Sequence, residues 1–360
     1  MDKSLFFLLV LWGASITNSC TKPDPKVSPQ SEKFYFPPIG NGEWEKASAK
    51  AMGWDTVALN DLYLLLESKD TKAFIILKDG KIVAEKYFGT FKQDSWWYWA
   101  SAGKTLTGFL VGIAQAEGIL NIDDQTSKYL GKGWTSLPLE KENLITVKNQ
   151  LTMTTGLDDG TGDVDCTLPA CLKYKADAGT RWSYHNAPYT LLDQVVQKAS
   201  GLTYNDYFQQ KIRNRIGMKG FWRKDPDANN VFFSDALSMA RFGLLMLNKG
   251  KWGDTVILKG EAYFNAQTNT SQKFNLSYGY LTWLNGKSSY MLPQTQRTFP
   301  GPMIPNAPDD LYQAFGKNDQ KIYVLPSQNL VVIRMGEKTS DALLSDFDNE
   351  LWGKLKVIIK

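Results

Sequence analysis

Apolar residues recur at helical spacing over residues 54–67, which predicts a first helix. Two apolar or alternating runs follow, 73–77 and 82–88, on either side of Lys78-Asp79-Gly80-Lys81. An Asp-Gly pair between such runs predicts a β-hairpin. A helical apolar stretch begins near Ser101, runs to about Glu117 and stops at Gly118. Residues 145–156 read as a helix start broken at Gly156. Further amphipathic helices are predicted over 189–199, 204–216 and 234–248, each followed within two residues by a glycine. Toward the C-terminus the pattern becomes strand-like, over 278–284, 310–316, 322–325 and 330–335. The last two runs are joined by a Pro-Ser-Gln-Asn turn at 326–329, and a final helix is expected over about 340–355. Strand patterns near both chain ends, with helices between, predict an α/β chain of the α+β type. Its antiparallel sheet is built from both chain ends and flanked by helices, with a mostly helical insertion over about 105–260. No internal repeat is visible.

The first residues have a different character. Lys3, the apolar run Leu5 to Trp12, and small or polar residues up to Ser19-Cys20 form the pattern of a secretory signal over 1–19. The run is too short to span a membrane. Cys20 after small residues resembles the acylated cysteine of a bacterial lipoprotein, with Thr17-Asn18-Ser19 a loose fit to the usual preceding motif. Residues 20–50, rich at first in Pro, Lys and Ser, are expected to form a tether, and 51–360 the folded domain. The expected location is outside the cytoplasm, in the periplasm or on the outer membrane as a lipoprotein, with simple secretion as the alternative.

Composition narrows the chemistry. The 360 residues are 43% hydrophobic and 13% aromatic, enough for a large core. A net charge of +4 with no basic block gives no sign of nucleic-acid binding. There is a single histidine, His185. A Ser-His-Asp triad or a multi-histidine metal site would have to run through it alone. The acidic stretches 121–124 and 158–163 lack an established metal-ligand spacing, so no metal or other cofactor is expected. Cys166 and Cys171 bracket a short loop, and their residue types fit either a small disulfide or two reduced thiols.

Ser101 and Lys104 lie three residues apart at the predicted helix start, which puts hydroxyl and amine on one face. The free N–H groups of that turn lie beside them. A lysine in apolar surroundings loses basicity and can accept a proton. The alternative is a Ser N-cap with a solvated Lys. Farther on, Tyr184 and Asn186 are two apart in an extended segment and point to one side. They are either a proton-shuttling pair or a core Tyr and a helix cap. The aromatic run Trp96, Trp97, Tyr98 and Trp99 reads equally as core or as the wall of a cleft.

Together these features resemble the serine beta-lactamase-like superfamily, on the side of class C beta-lactamases, related esterases and 6-aminohexanoate-dimer hydrolases. The matching elements are Ser101-x-x-Lys104, Tyr184-x-Asn186, ITVKNQLTMTTGL at 145–157 and YQAFGKNDQKIYVLPSQNLVVIRMG at 312–336. They occur in the family's order and cover about residues 55–358. The resemblance implies a beta-lactamase/transpeptidase-like fold and a set of roles. Ser101 would be the acylated nucleophile, Lys104 its proton acceptor, and Tyr184 a second general acid/base. Asn186 would hydrogen-bond substrate and Lys104. The N–H groups of Ser101 and of Lys317, which follows Gly316, would form an oxyanion hole.

One departure stands out. Where beta-lactamases carry Lys-Thr-Gly and many esterases His-x-Gly, this chain has Ala314-Phe315-Gly316. With no cation at 314, the expected activity is that of an esterase or amidase acting on a small ester, amide or peptide-like substrate. The alternatives are a beta-lactamase or D-alanyl-D-alanine carboxypeptidase, and a non-catalytic binding lipoprotein of the same fold. His185, between the two motif residues, is expected to face away and pack.

Overall fold

A hairpin near the start of the folded body and three strands near its end zip into one sheet. The computed structural model describes residues 1–2, 34–40, 42–160, 162–224, 229–340 and 346–359. The signal reading, Cys20 and the first part of the tether fall almost wholly outside these residues. Helix α1 (Thr56–Ser68) is capped by Asp55, whose carboxylate accepts from the N–H groups of Val57 and Ala58. Strands β1 (Thr71–Lys78) and β2 (Lys81–Tyr87) follow. Asp79 and Gly80 between them both adopt positive φ, 52° and 87°. That pair of conformations matches the twist of a tight hairpin, and Asp-Gly reaches it at little cost.

The chain then passes through β3 (Trp97–Tyr98), the helix α2 (Gly103–Ala116) that carries Lys104, and α3 (Asn186–Thr190) with α4 (Leu192–Ser200). Strands β4 (Phe221–Lys224) and β5 (Asn230–Ser234) lead to helix α5 (Ala236–Leu247). Strand β6 (Trp283–Leu284) and the consecutive β7 (Tyr312–Gly316), β8 (Gln320–Leu325) and β9 (Leu330–Gly336) precede the last helix, α6 (Phe347–Ile358). The main sheet has the order β2-β1-β9-β8-β7-β6, with every pairing antiparallel. Ile75 of β1 lies opposite Ile333 of β9, so the two chain ends meet in the middle of the sheet.

Both faces of that sheet are covered, which explains why β1 and β9 read as nearly unbroken apolar runs. Helix α5 lies on one face. A Cβ on its Gly243 would stand 2.5 Å from Val331 Cγ1, so only glycine permits this approach. Helices α1 and α6 cover the other face, where Trp352 meets Tyr323 edge-on at 5.6 Å. No helix among the described residues is long and apolar enough to cross a membrane.

Some expectations need correction. Residues 34–50, read as tether, pack onto the body. Tyr35 N–H donates to Asp79 O at 3.0 Å, Trp44 Nε1–H donates to Gly80 O at 2.8 Å, and Phe36 meets Trp252 at 5.2 Å. The aromatic side chains in this stretch, not its Pro and Lys content, decide its fate, because burying them outweighs the entropy of ordering the chain. The insertion over 105–260, expected to be mostly helical, also holds β4 and β5, which join β3 in a small sheet ordered β3-β5-β4. The strand expected over 278–284 is short, because the chain turns at 279–282, where Gly279 N–H donates to Thr282 O at 2.8 Å.

Candidate active site

The run before Ser101 is an anchor. Trp99 is fully buried, its indole N–H donates to Ser234 Oγ at 2.8 Å, and its backbone N–H donates to Phe232 O at 2.8 Å. Ala100 then takes φ 47°, a left-handed conformation that bends the chain sharply from strand into helix. Ser101 follows in a single 3-10 turn, Ala100–Ala102, that feeds directly into α2. N–H groups of such a first turn have no acceptor within the helix. The aromatic run is therefore packing at Trp99, while Trp96 is surface, 45% exposed. None of the four rings lines the cleft beside Ser101.

Three expected site side chains converge. Lys104 Nζ donates to Ser101 Oγ at 2.9 Å. The amine is buried, 1% exposed, and lies 4.2 Å from the Tyr189 ring centre and 5.0 Å from that of Tyr184. Burial lowers its pKa from the ordinary lysine range to about 7, opposed by the Asp165 carboxylate. Burial pushes the Tyr184 phenol up, partly offset by a hydrogen bond with Ser101. Near neutral pH the site therefore holds a lysine able to be uncharged and a tyrosine that keeps its proton.

Tyr184 reaches the site because residues 182–185 run extended before α3, where Trp182 is buried and Ser183 N–H donates to Met153 O at 2.9 Å. Its ring stacks on Trp283, centroids 5.6 Å apart. Asn186 lines the same cleft, but its partner differs from expectation. Its Nδ2 donates to Asp165 Oδ1 at 2.7 Å, and its Oδ1 is buried without a partner, so the expected bond to Lys104 is not made. Asp165 had no motif to announce it. His185 is buried and absent from the cleft lining, as expected for packing, and burial lowers its pKa to about 4.

Another side of the cleft comes from the end of β7. A Cβ on Gly316 would fall 2.2 Å from Trp99 O and 3.1 Å from Ala102 N, so glycine is required for the strand to lie against the helix start. Lys317 follows in a turn over Lys317–Asp319 whose Asn318 and Asp319 both take positive φ, 62° and 56°. Arg334, fully buried on β9, braces this turn by donating to Asn318 O at 3.2 Å and Asp319 O at 2.9 Å. Asn318 Nδ2 also donates to Tyr98 Oη at 2.7 Å.

Ser101, Tyr184, Asn186, Gly316 and Lys317 all line one open cleft of about 520 Å³. Its apolar wall includes Trp283, Phe315, Leu292 and Met303. Ala314, where a cation would stand in a beta-lactamase, is buried. A different lysine, Lys321, borders the cleft, but Asp319 at 3.1 Å and Asp348 at 2.9 Å neutralise it. No cluster of metal-ligating side chains occurs among the described residues.

Comparison with known proteins agrees with this geometry. The beta-lactamase family model matches residues 70–352. An uncharacterized protein of Alkalihalophilus pseudofirmus is 23% identical over 320 residues, 78% of this chain and 88% of that protein. A solved structure from Bacillus anthracis assigned as a 6-aminohexanoate-dimer hydrolase superposes with a TM-score of 0.68 at 17% identity, covering 88% of this chain and 86% of that one. EstCE1, described as a hydrolase with promiscuous acyltransferase activity, superposes with a TM-score of 0.62 at 11% identity, covering 86% and 99%. With its model spanning both the Ser101 helix and the Gly316 strand, the chain belongs to the beta-lactamase family, whose fold this is.

Proposed function

We propose that the protein is a serine hydrolase that cleaves an ester or amide through an acyl-enzyme on Ser101. The observation that carries this reading is the 2.9 Å contact between Ser101 Oγ and a buried Lys104 amine whose pKa lies near neutrality. In the uncharged form Lys104 takes the Ser101 proton as Oγ attacks the acyl carbon. The N–H groups of Ser101 and Lys317 receive the developing oxyanion. Tyr184, kept protonated by burial, delivers its proton to the departing alkoxide or amine and regains one from the Lys104 ammonium. Water then attacks the acyl carbon, its proton passing back through the same pair, and the acid is released.

Neutral esters and amides fit better than beta-lactams or D-alanyl-D-alanine peptides. Those substrates carry a carboxylate; the buried Ala314 stands where a cation would meet it and Lys321 is neutralised, while Lys317 and Lys338 also line the cleft. The names of two structural neighbours, a 6-aminohexanoate-dimer hydrolase and a hydrolase with promiscuous acyltransferase activity, support this reading, while others are beta-lactamases and penicillin-binding-protein homologues. The Cys166–Cys171 disulfide suits an oxidising compartment and supports export.

The test is intact-mass labelling with a fluorophosphonate, alongside hydrolysis of a short p-nitrophenyl ester and a chromogenic cephalosporin. The expected result is one adduct, lost in Ser101→Ala, with ester turnover exceeding cephalosporin turnover. No adduct under conditions that label a control enzyme would leave a binding protein of the same fold. Faster cephalosporin turnover would assign a beta-lactamase.

A further inference from the structure

We infer that Asp165, held in place by the Cys166–Cys171 disulfide, is a positioning residue that fixes the orientation of Asn186 at the cleft. The inference rests on the reading of Ser101 and Lys104 as a nucleophile and its base.

The segment carrying Asp165 is tied down on both sides. Cys166 and Cys171 are joined across a loop of five positions. Within it, Cys171 N–H donates to Leu168 O at 2.9 Å. Before it, Asp165 N–H donates to Asp163 Oδ1 at 2.9 Å. Ala187 N–H donates to Val164 O at 3.0 Å, which clamps the loop to the start of α3 beside Asn186. The Asp165 carboxylate thus meets the Asn186 amide from a segment clamped at Val164 and followed at once by a covalently closed loop.

The chemistry of the contact sets the amide's direction. An ionised carboxylate only accepts hydrogen bonds, so the Asn186 nitrogen must be the atom that faces Asp165. The 2.7 Å distance is that of a charge-assisted bond. Asn186 Oδ1 is then the atom left over, and it is buried without a partner on a residue that lines the cleft. Without Asp165 nothing in this set of contacts would hold the amide that way round.

Asp165 has a second effect, on charge. The titratable groups around Lys104 are Ser101 in the preceding turn, Tyr184 from the extended segment, Tyr189 from α3, and Asp165 from the segment just before the disulfide. Burial keeps both phenols protonated. The anionic Asp165 favours the ammonium form of Lys104. Removing its charge therefore makes the amine easier to deprotonate, and a rate limited by neutral Lys104 should reach half-maximum at lower pH.

The experiment compares wild type, Asp165→Asn, Asp165→Ala and the double variant Cys166→Ser/Cys171→Ser. Readouts are fluorophosphonate labelling and the pH profile of kcat/KM on the ester that wild type turns over best. Asp165→Asn keeps an acceptor for Asn186 and loses the charge, so its profile moves to lower pH with a near wild-type plateau. Asp165→Ala moves the profile the same way and lowers the plateau about tenfold or more, the scale for losing a charged hydrogen bond. The double cysteine variant lowers the plateau while Asp165 is still present. Wild-type profiles and plateaus in both Asp165 variants would overturn the inference, as would an unchanged plateau in the double variant. Failure of wild type to label at Ser101 would instead overturn the hydrolase reading.

Discussion

Gly316 approaches Trp99 so closely that the glycine has no room for a side chain: a Cβ would sit 2.2 Å from the tryptophan carbonyl oxygen. The contact joins the strand that leads into Lys317, proposed above as an oxyanion donor, to the residue that anchors the turn of Ser101. Gly316 has ordinary extended backbone, φ −124° and ψ 154°, so the requirement is steric alone. Gly316→Ala must push β7 away from the helix start. Hydrolysis should fall about a hundredfold or more, the cost of losing an oxyanion donor. Steady-state kinetics on a p-nitrophenyl ester, with circular dichroism to confirm folding, checks this.

The wild-type pH profile follows from Lys104. Its pKa near 7 means the neutral base is scarce below that pH and abundant above it. The value of kcat/KM should rise with pH through an apparent midpoint near 7 and level off on the alkaline side. A profile without that rise from pH 5 to 9 removes Lys104 from the base role.

The same burial costs stability. The unfolded chain keeps the ordinary lysine value of 10.5, whereas the folded protein holds it at about 7. Between those pH values the unfolded state binds the extra proton, so stability rises with pH. The penalty is fully present below about pH 7 and gone above 10.5. At about 1.4 kcal/mol per unit, Lys104→Met should stabilise the fold by a few kcal/mol near pH 6–7. Urea unfolding at pH 6.5 and pH 10 should show the gain shrinking at the higher pH, while the variant loses activity at both.

Lys321 lies between Asp319 and Asp348, and Tyr323 Oη also donates to Asp348. Lys321→Met would leave two largely buried carboxylates without their cation. The expected loss is about 3–5 kcal/mol, and Asp348→Asn in the same background should recover part of it. Thermal unfolding of the single and double variants measures both.

What the sequence revealed was mostly local. Ser101 and Lys104 are one helical turn apart, and Tyr184 and Asn186 share a side of one extended segment. Asp79-Gly80 marks the hairpin because few other pairs take two positive φ values so readily. The contacts that could not be read are those between distant segments. Nothing around Asp165 marks it as the partner of Asn186, since the bond spans 21 positions and depends on how the disulfide loop folds back. The cleft wall went to Trp283 and Phe315 rather than to the conspicuous run at 96–99, because hydrophobicity ranks burial and not direction. The early aromatic residues of 34–50 had no visible partner until the β1–β2 turn and Trp252 were placed in space.

The central pairing of β1 with β9 bears on synthesis at the ribosome. A nascent chain that has emerged only as far as α5 carries Ser101 and Lys104 yet lacks Gly316, Lys317 and the strands that close the sheet. Such a chain exposes a two-stranded ribbon with an open edge and has no means to stabilise a tetrahedral adduct. On the proposed reading, acyl transfer needs the chain through β9, and a fragment ending at α5 should not hydrolyse the ester.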